Sequence, residues 1–242
     1  MRGPLRVPVA RVEAGASILD EDASRYVARV HRKRLGDRVV LFDPDRAIEA
    51  DAEITAIDRA SVSVLVEEPR AATFLPARRV TILQATCKSD KFDAIVRDAT
   101  ELGASRVVPI VAERSVGRPA DGRAARWRRI AVEAARQCGR GDAPAISSPM
   151  ELVEAVQLFA SGEGVHGFCL DPVADAPLGP ALRRLGPEVE LAFVVGPEGG
   201  LSPAEIEACT SAGLSRVSFG PLTLRAETVC AAVLGGVVLL AR

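Results

Sequence analysis

The pattern of apolar and polar positions changes character once along the chain, near residue 73. In the front part, Ile48, Ala50, Ala52, Ile54 and Ala56 alternate with polar or charged residues, the period of a strand with one buried face. Residues 39–42 and 61–66 are apolar runs of strand length, and residues 5–12, after Pro4, form another. Tyr26, Val27 and Val30 have helical spacing, which predicts a helix over 21–34 with Gly36 just past its end. Short strands and a single helix in so few residues predict a small barrel. A stretch with proline near each end, 67–76, reads as a linker.

Beyond Arg79, strands and helices alternate. Residues 80–85 and 106–111 are strand-like, and between them Phe92, Ile95, Val96, Ala99 and Leu102 make a helical stripe closed by Gly103. A second helix over 123–138 would bury Trp127, Ile130, Ala131, Ala134, Ala135 and Cys138, leaving Arg126, Arg128, Arg129 and Arg136 on other faces. Residues 165–170 and 191–195 are unbroken apolar strands, the kind that parallel sheets enclose. The pattern predicts an open α/β sheet, and two domains, 1–72 and 73–242.

Composition narrows the class. Apolar residues make up 48% of the chain and charged residues 26%, the balance of a globular protein, so collagen, coiled coil and disorder are excluded. The longest strongly apolar stretch, 229–241, is shorter than the ~20 residues a membrane span needs. The first residues carry no run resembling a secretory signal, and a cytoplasmic protein is expected. Five dispersed cysteines (87, 138, 169, 209 and 230) and two distant histidines suggest buried thiols and no metal site.

The net charge is -1, yet residues 114–140 carry eight arginines against Asp121 and Glu133, and 1–38 carry nine bases against five acids. Two such segments suit a phosphate-binding face, or are simply solvated helix faces.

Residues 193–205, Phe-Val-Val-Gly-Pro-Glu-Gly-Gly-Leu-Ser-Pro-Ala-Glu, end a strand in a glycine turn and start a helix. Ser202 is placed as N-cap, Pro203 at N1 and Glu205 at N3, a capping box. No Gly-Lys-Ser/Thr follows, and Glu198 would repel a pyrophosphate, so the turn is no nucleotide P-loop. It is either a tight connection or a site for a neutral or cationic ligand. A second loop, 218–228, reads as a short strand, a Gly-Pro turn, and Arg225 and Glu227 opening a last helix that is apolar nearly all round. A helix of that kind needs a second surface to cover it, and a dimer interface is the economical answer.

Gly-Pro-Glu-Gly-Gly-Leu-Ser (196–202) followed by Gly-Pro-x-x-Leu-Arg-x-Glu-Thr (220–228) resembles the RsmE family. Those are SPOUT-class, S-adenosylmethionine-dependent methyltransferases of uridine N3 in 16S (small-subunit) ribosomal RNA. Further matches are Lys88-x-x-Lys91, Thr100-Glu-Leu-Gly103, Glu113-Arg-Ser115 and Arg126-Trp-x-x-Ile-Ala-x-Glu-Ala-Ala-x-Gln137. In the front part Met1-Arg-x-Pro, Gly36-Asp37 and Leu41-Phe-Asp43 match as well, so the likeness spans nearly the whole chain.

The resemblance implies a PUA-like β-barrel at the N-terminus and a SPOUT α/β domain with a C-terminal trefoil knot, in a homodimer acting on the small ribosomal subunit. It implies an S-adenosylmethionine pocket of Leu170, Val195, Gly196, Pro197, Glu198, Gly199, Gly200, Phe219, Gly220, Leu222 and Leu224. Arg225 would position the uracil or its phosphate. Glu227 or Glu198 is the candidate proton acceptor, unless either only anchors loop N–H groups. Arg2, Arg6, Arg29, Arg32, Arg114, Arg126, Arg136 and Arg140 would form the RNA path. His31 is expected at the surface and Trp127 in the core. Where the family has Gly-Pro-Arg-Ile-Leu-Arg-Thr-Glu-Thr-Ala, this chain carries Leu222, Thr223, Ala226 and Val229 in place of the first Arg, Ile, Thr and Ala. Action on another RNA, or a role as a non-enzymatic RNA-binding module, are the competing readings.

Overall fold

A computed structural model describes residues 4–87, 89–115, 117 and 122–240. The chain forms two compact units, Met1–Leu75 with Val132–Ala143, and Pro76–Ala131 with Pro144–Arg242.

In the first unit a mixed sheet has the order β1 (Leu5–Pro8), β3 (Arg38–Asp43), β4 (Ile48–Ile57), β5 (Val62–Val66), β2 (Gly15–Ile18), and β6 (Arg70–Ala71) pairs with β4. Only β1 and β3 run parallel. The alternation in β4 does what its period predicts: Ala50, Ala52 and Ile54 face a core with Val7, Val27, Val39, Leu41, Val62 and Val64. The first strand ends at Pro8 rather than Val12. The four-residue β2 has no apolar alternation to betray it, and β6 falls inside the expected linker.

The helix also departs from expectation. Helix α1 (Glu21–Arg25), capped by the Asp20 carboxylate on the Ala23 N–H, passes into one wider π-helical turn over Tyr26–Val30 and stops. The His31 N–H bonds to the Tyr26 carbonyl, and Arg32 turns left-handed at φ 50°. Val30 has helical spacing but is 64% exposed, so nothing apolar holds a further turn.

The second unit contains one all-parallel sheet in the order β10 (Met150–Glu151), β8 (Arg106–Val111), β7 (Val80–Ala85), β12 (Glu190–Val195), β11 (Val165–Leu170), β13 (Ser215–Val217). A two-residue strand, β9 (Ala145–Ile146), also pairs with β8. One sheet face packs under α4 (Leu152–Phe159) and α6 (Pro203–Ser211), whose core includes Leu83, Val108, Ile110, Val194 and Leu214. Helix α2 (Ser89–Glu101) packs on α7 (Ala226–Leu240), and α7 on α5 (Leu178–Arg183). Phe92, Ile95, Val96 and Ala99 are buried as the stripe predicts. Gly103 at φ 87° lets the Ala104 and Gly103 N–H groups return to the Ala99 and Thr100 carbonyls, so the last turn's orphan acceptors are met.

In α3 (Arg123–Cys138), Trp127 is buried against Phe92, and its indole N–H donates to Asp93 at 3.1 Å. Cys138 has the spacing of the stripe that Ala131, Ala134 and Ala135 form, yet it is exposed: it is the last residue of α3, where the cover over that face ends. The strand expected at Ser218 lies earlier, at β13. Among the described residues, no helix is long and apolar enough to cross a membrane.

A charged pair sits inside the first unit. Glu49, on β4, has a side chain only 2% exposed, and it accepts from the Arg6 guanidinium and the Thr73 hydroxyl, each at 2.8 Å. Burial pushes its carboxyl up, but the hydrogen bonds from Arg6 and Thr73 outweigh that and hold it below the ordinary 4.5. A carboxyl depressed in the folded state adds stability above the unfolded value and loses it as pH falls through the folded one. Unfolding free energy should therefore decline as pH is lowered below about 4.5. Glu49→Gln should flatten that decline and cost about 3 kcal/mol at neutral pH, because Arg6 is left without its counter-charge. Urea unfolding at pH 7 and pH 4 measures both effects.

Candidate functional site

Because the strands of the second unit are parallel, the loops after β11, β12 and β13 all leave from one edge, where open α/β sheets bind ligands. The three loops enclose a cavity of about 480 Å³.

The first wall follows β12. The Gly200 N–H returns to the Pro197 carbonyl at 2.9 Å, and Gly200 sits at φ 70°, a conformation L side chains rarely adopt. A Cβ on Gly196 would lie 3.1 Å from the Leu201 backbone nitrogen, so the turn closes tightly there. Helix α6 then starts with the predicted capping box: Ser202 Oγ accepts from the Glu205 N–H, and Glu205 Oε2 accepts from the Ser202 N–H at 2.8 Å. The other oxygen of Glu205 accepts from the Glu113 N–H at 2.8 Å. Beside it the Arg114 guanidinium donates to the Gly199 carbonyl at 2.9 Å. The loop after β8 thus braces the glycine turn through two contacts.

The second wall follows β11. Asp171 is buried, and its N–H donates to the Val217 carbonyl. Its carboxylate accepts from Val173 N–H and pairs with Arg216 at 2.6 Å. The third wall follows β13 and enters α7. There the Arg225 carbonyl accepts from the Thr228 and Val229 N–H groups, so Arg225 begins the helix at the cavity edge.

The cavity lining contains Leu170, residues 195–200, Phe219, Leu222, Leu224 and Arg225, all singled out from the sequence. Gly220 is not in the lining; at φ 76° it shapes the turn behind it. Asp171, Pro172, Leu201, Ile206, Ala226 and Val229 also line it and lie outside the predicted pocket. Part of the signal was local: Asp171 immediately follows a predicted strand, and Ile206, Ala226 and Val229 lie in the first turn of a predicted helix.

Glu227 is not in the lining. Its carboxylate turns to Lys91, whose ammonium lies 2.9 Å from Glu198 and 3.6 Å from Glu227. Cys87 is nearby: burial, then the Glu198 carboxylate, push its thiol up to about 11, so it stays protonated at neutral pH.

The basic residues divide differently from the expectation. Arg6 and Arg140 are held inside the first unit, Arg6 by Glu49 and Arg140, only 6% exposed, by a bidentate pair with Asp142 at 2.8 and 2.9 Å. Both guanidinium groups are therefore enclosed and paired rather than presented to solvent. Arg136 pairs with Glu133 and lies 3.6 Å over the Tyr26 ring, Arg126 pairs with Asp93, and Arg114 holds the glycine turn. Arg29 and Arg32 are exposed, and Arg2 lies outside the described residues. His31 is at the surface, edge-on to Tyr26 at 4.4 Å.

Residues 75–238 match the RNA methyltransferase domain, and 19–67 match the RNA methyltransferase PUA domain. A protein of Mycobacterium bovis called ribosomal RNA small subunit methyltransferase E is 32% identical, over 91% of this chain and 85% of its own length. The Synechocystis protein of that name is 31% identical over 84% of this chain, and the match spans 66% of that longer relative. This chain belongs to the ribosomal RNA small subunit methyltransferase E family.

The fold agrees with that family. The Neisseria gonorrhoeae enzyme of the same name, solved bound to S-adenosyl methionine, superposes with a TM-score of 0.87 at 24% identity, covering 97% of this chain and 96% of that one. An RNA methyltransferase PUA domain is followed by an RNA methyltransferase domain. The four positions at which this chain departs from the family's usual loop, Leu222, Thr223, Ala226 and Val229, all face the cavity. They leave Arg225 as the single cation in that lining among the described residues.

Glu205 carries a specific expectation. Glu205→Ala removes two charge-assisted hydrogen bonds at once, so it should cost about 1–2 kcal/mol of stability. It should also speed hydrogen exchange at residues 112–115 and 196–202 together, whereas a mere helix cap would affect only the latter.

Proposed function

We propose that the protein transfers a methyl group from S-adenosylmethionine to N3 of one uridine in 16S ribosomal RNA, within the small subunit and in the cytoplasm. The observation that carries this reading is the cavity: in a chain of this family, its walls are the glycine turn and the Arg225 loop at one sheet edge. The residues fit such a ligand. A volume of about 480 Å³ lies within the range of small-molecule sites. Leu170, Val195, Leu201 and Ile206 offer apolar walls and the glycines let the backbone come close.

S-adenosylmethionine, when bound, supplies a methyl group activated on a sulfonium. The chain's own part is to hold the uracil and stabilise negative charge on the ring; the N3 proton of this weakly acidic imide passes to solvent as the base enters, before water is excluded, and the N3 lone pair then takes the methyl group while the sulfonium becomes a neutral thioether. N3 lies on the Watson–Crick edge, so the uridine must be unpaired. Arg225 supplies the positive charge at the cavity edge. Both candidate proton acceptors are engaged by Lys91, and Glu227 is outside the lining, so the reading favours stabilisation of the uracil anion by Arg225 over proton abstraction by Glu227. The loop carrying Arg225 is taken as the part threaded through the knot.

Incubation with labelled S-adenosylmethionine and small subunits lacking this modification, followed by digestion and mass identification, should give 3-methyluridine at one site. Cofactor binding without label would move the activity to another RNA; no binding would leave an RNA-binding module. Arg225→Ala should lower methylation roughly a hundredfold through misplacement of the base, with cofactor affinity nearly unchanged. Full methylation by that variant would remove Arg225 from the mechanism.

The same reading makes the working form a homodimer. Leu222 and Leu239 are 73% and 72% exposed, and Val238 and Leu240 beside Leu239 are uncovered too. Sedimentation should show a dimer at micromolar concentration and monomer for Leu239→Glu; a monomeric parent protein refutes it.

A further inference from the structure

Lys91 lies in the first turn of α2 and takes no part in the cavity lining, yet it touches both of the loops that form it. Its ammonium is 2.9 Å from Glu198, in the turn after β12, and 3.6 Å from Glu227, in the first turn of α7. Glu198 is itself in the lining, and Glu227 is flanked by Ala226 and, two residues on, Val229, which are. Among the described residues, the second oxygen of Glu227 is buried and has no hydrogen-bond partner, and Lys91 is the cation paired with this carboxylate.

The base of the lysine is anchored, because α2 packs along α7. Its three donors, on a flexible stem, suit a group that must reach two acceptors in different directions. The Glu198 hydrogen bond raises its pKa, which keeps the charge in place at neutral pH.

We propose that Lys91 is a positioning residue that clasps the Glu198 turn to the first turn of α7 and so sets the separation of two walls of the cavity. As a statement about catalysis this rests on the S-adenosylmethionine reading; as a statement about the two walls it does not.

The test uses the full-length protein with three variants and two measurements. Lys91→Met keeps the stem and removes the charge, Lys91→Arg restores a cation, and Arg79→Met deletes an exposed ion pair with Glu190 elsewhere in the same unit. By calorimetry, Lys91→Met should weaken S-adenosylmethionine binding about three- to fivefold, the scale two partly exposed ion pairs can supply. Lys91→Arg should recover most of the loss, and Arg79→Met should change nothing. Hydrogen exchange without ligand should rise in Lys91→Met at residues 196–201 and 224–229 and return in Lys91→Arg. Exchange that is unchanged there, or raised evenly across the unit, overturns the clasp. A parent protein that binds no S-adenosylmethionine overturns the reading of the cavity instead, and the exchange measurement still decides the role of Lys91.

Discussion

When every strand of a sheet runs the same way, the residue after each strand emerges at the same edge, however far apart the strands lie in sequence. That constraint organises the second unit. Strands β11, β12 and β13 are neighbours, so Leu170, the turn from Val195 and the loop leading to Arg225 are delivered together without any one segment being long. The convergence supplies proximity but not shape. Shape comes from what fastens each loop: Gly200 in a left-handed conformation, Glu205 bonded to two backbone N–H groups, and Asp171 paired with Arg216.

Much of this could be read from the sequence because the signals were local. A capping box needs only Ser202 and Glu205, and a helix end closed by glycine needs only Gly103 after an apolar stripe. The cavity walls were legible where they lay next to a strand end. What escaped was non-local or lacked periodicity. Nothing near Glu205 announces that its second oxygen will reach Glu113, and nothing near Glu227 says it will turn to Lys91 and away from the cavity. Strands β2, β9 and β10 are too short for their alternation to register. The helix over 21–34 failed for a related reason, since spacing alone cannot distinguish a buried Val27 from an exposed Val30.

The arginines show the same limit in electrostatic form. Sequence counts their charge but not their company. Arg6 and Arg140 carry formal charges equal to those of Arg29 and Arg32, yet the first two are enclosed with Glu49 and Asp142 while the last two face solvent. A basic segment is therefore a weaker indicator of a phosphate surface than its net charge suggests, because ion pairs that close within the fold leave little field outside it.

Helix α3 divides its residues between the two units, and the segment Val132–Ala143 lies with the front one. There Gly141 bonds back to the Phe74 carbonyl, Ala143 to that of Pro44, and Arg136 covers Tyr26. The front unit is thus not a cassette that ends where its first stretch of chain ends. A chimera that exchanged only the leading residues with a relative would inherit a foreign stave in the middle of its α/β partner. Recombination within such a family would have to carry both pieces at once, which ties the history of the two units together more closely than their separate cores suggest.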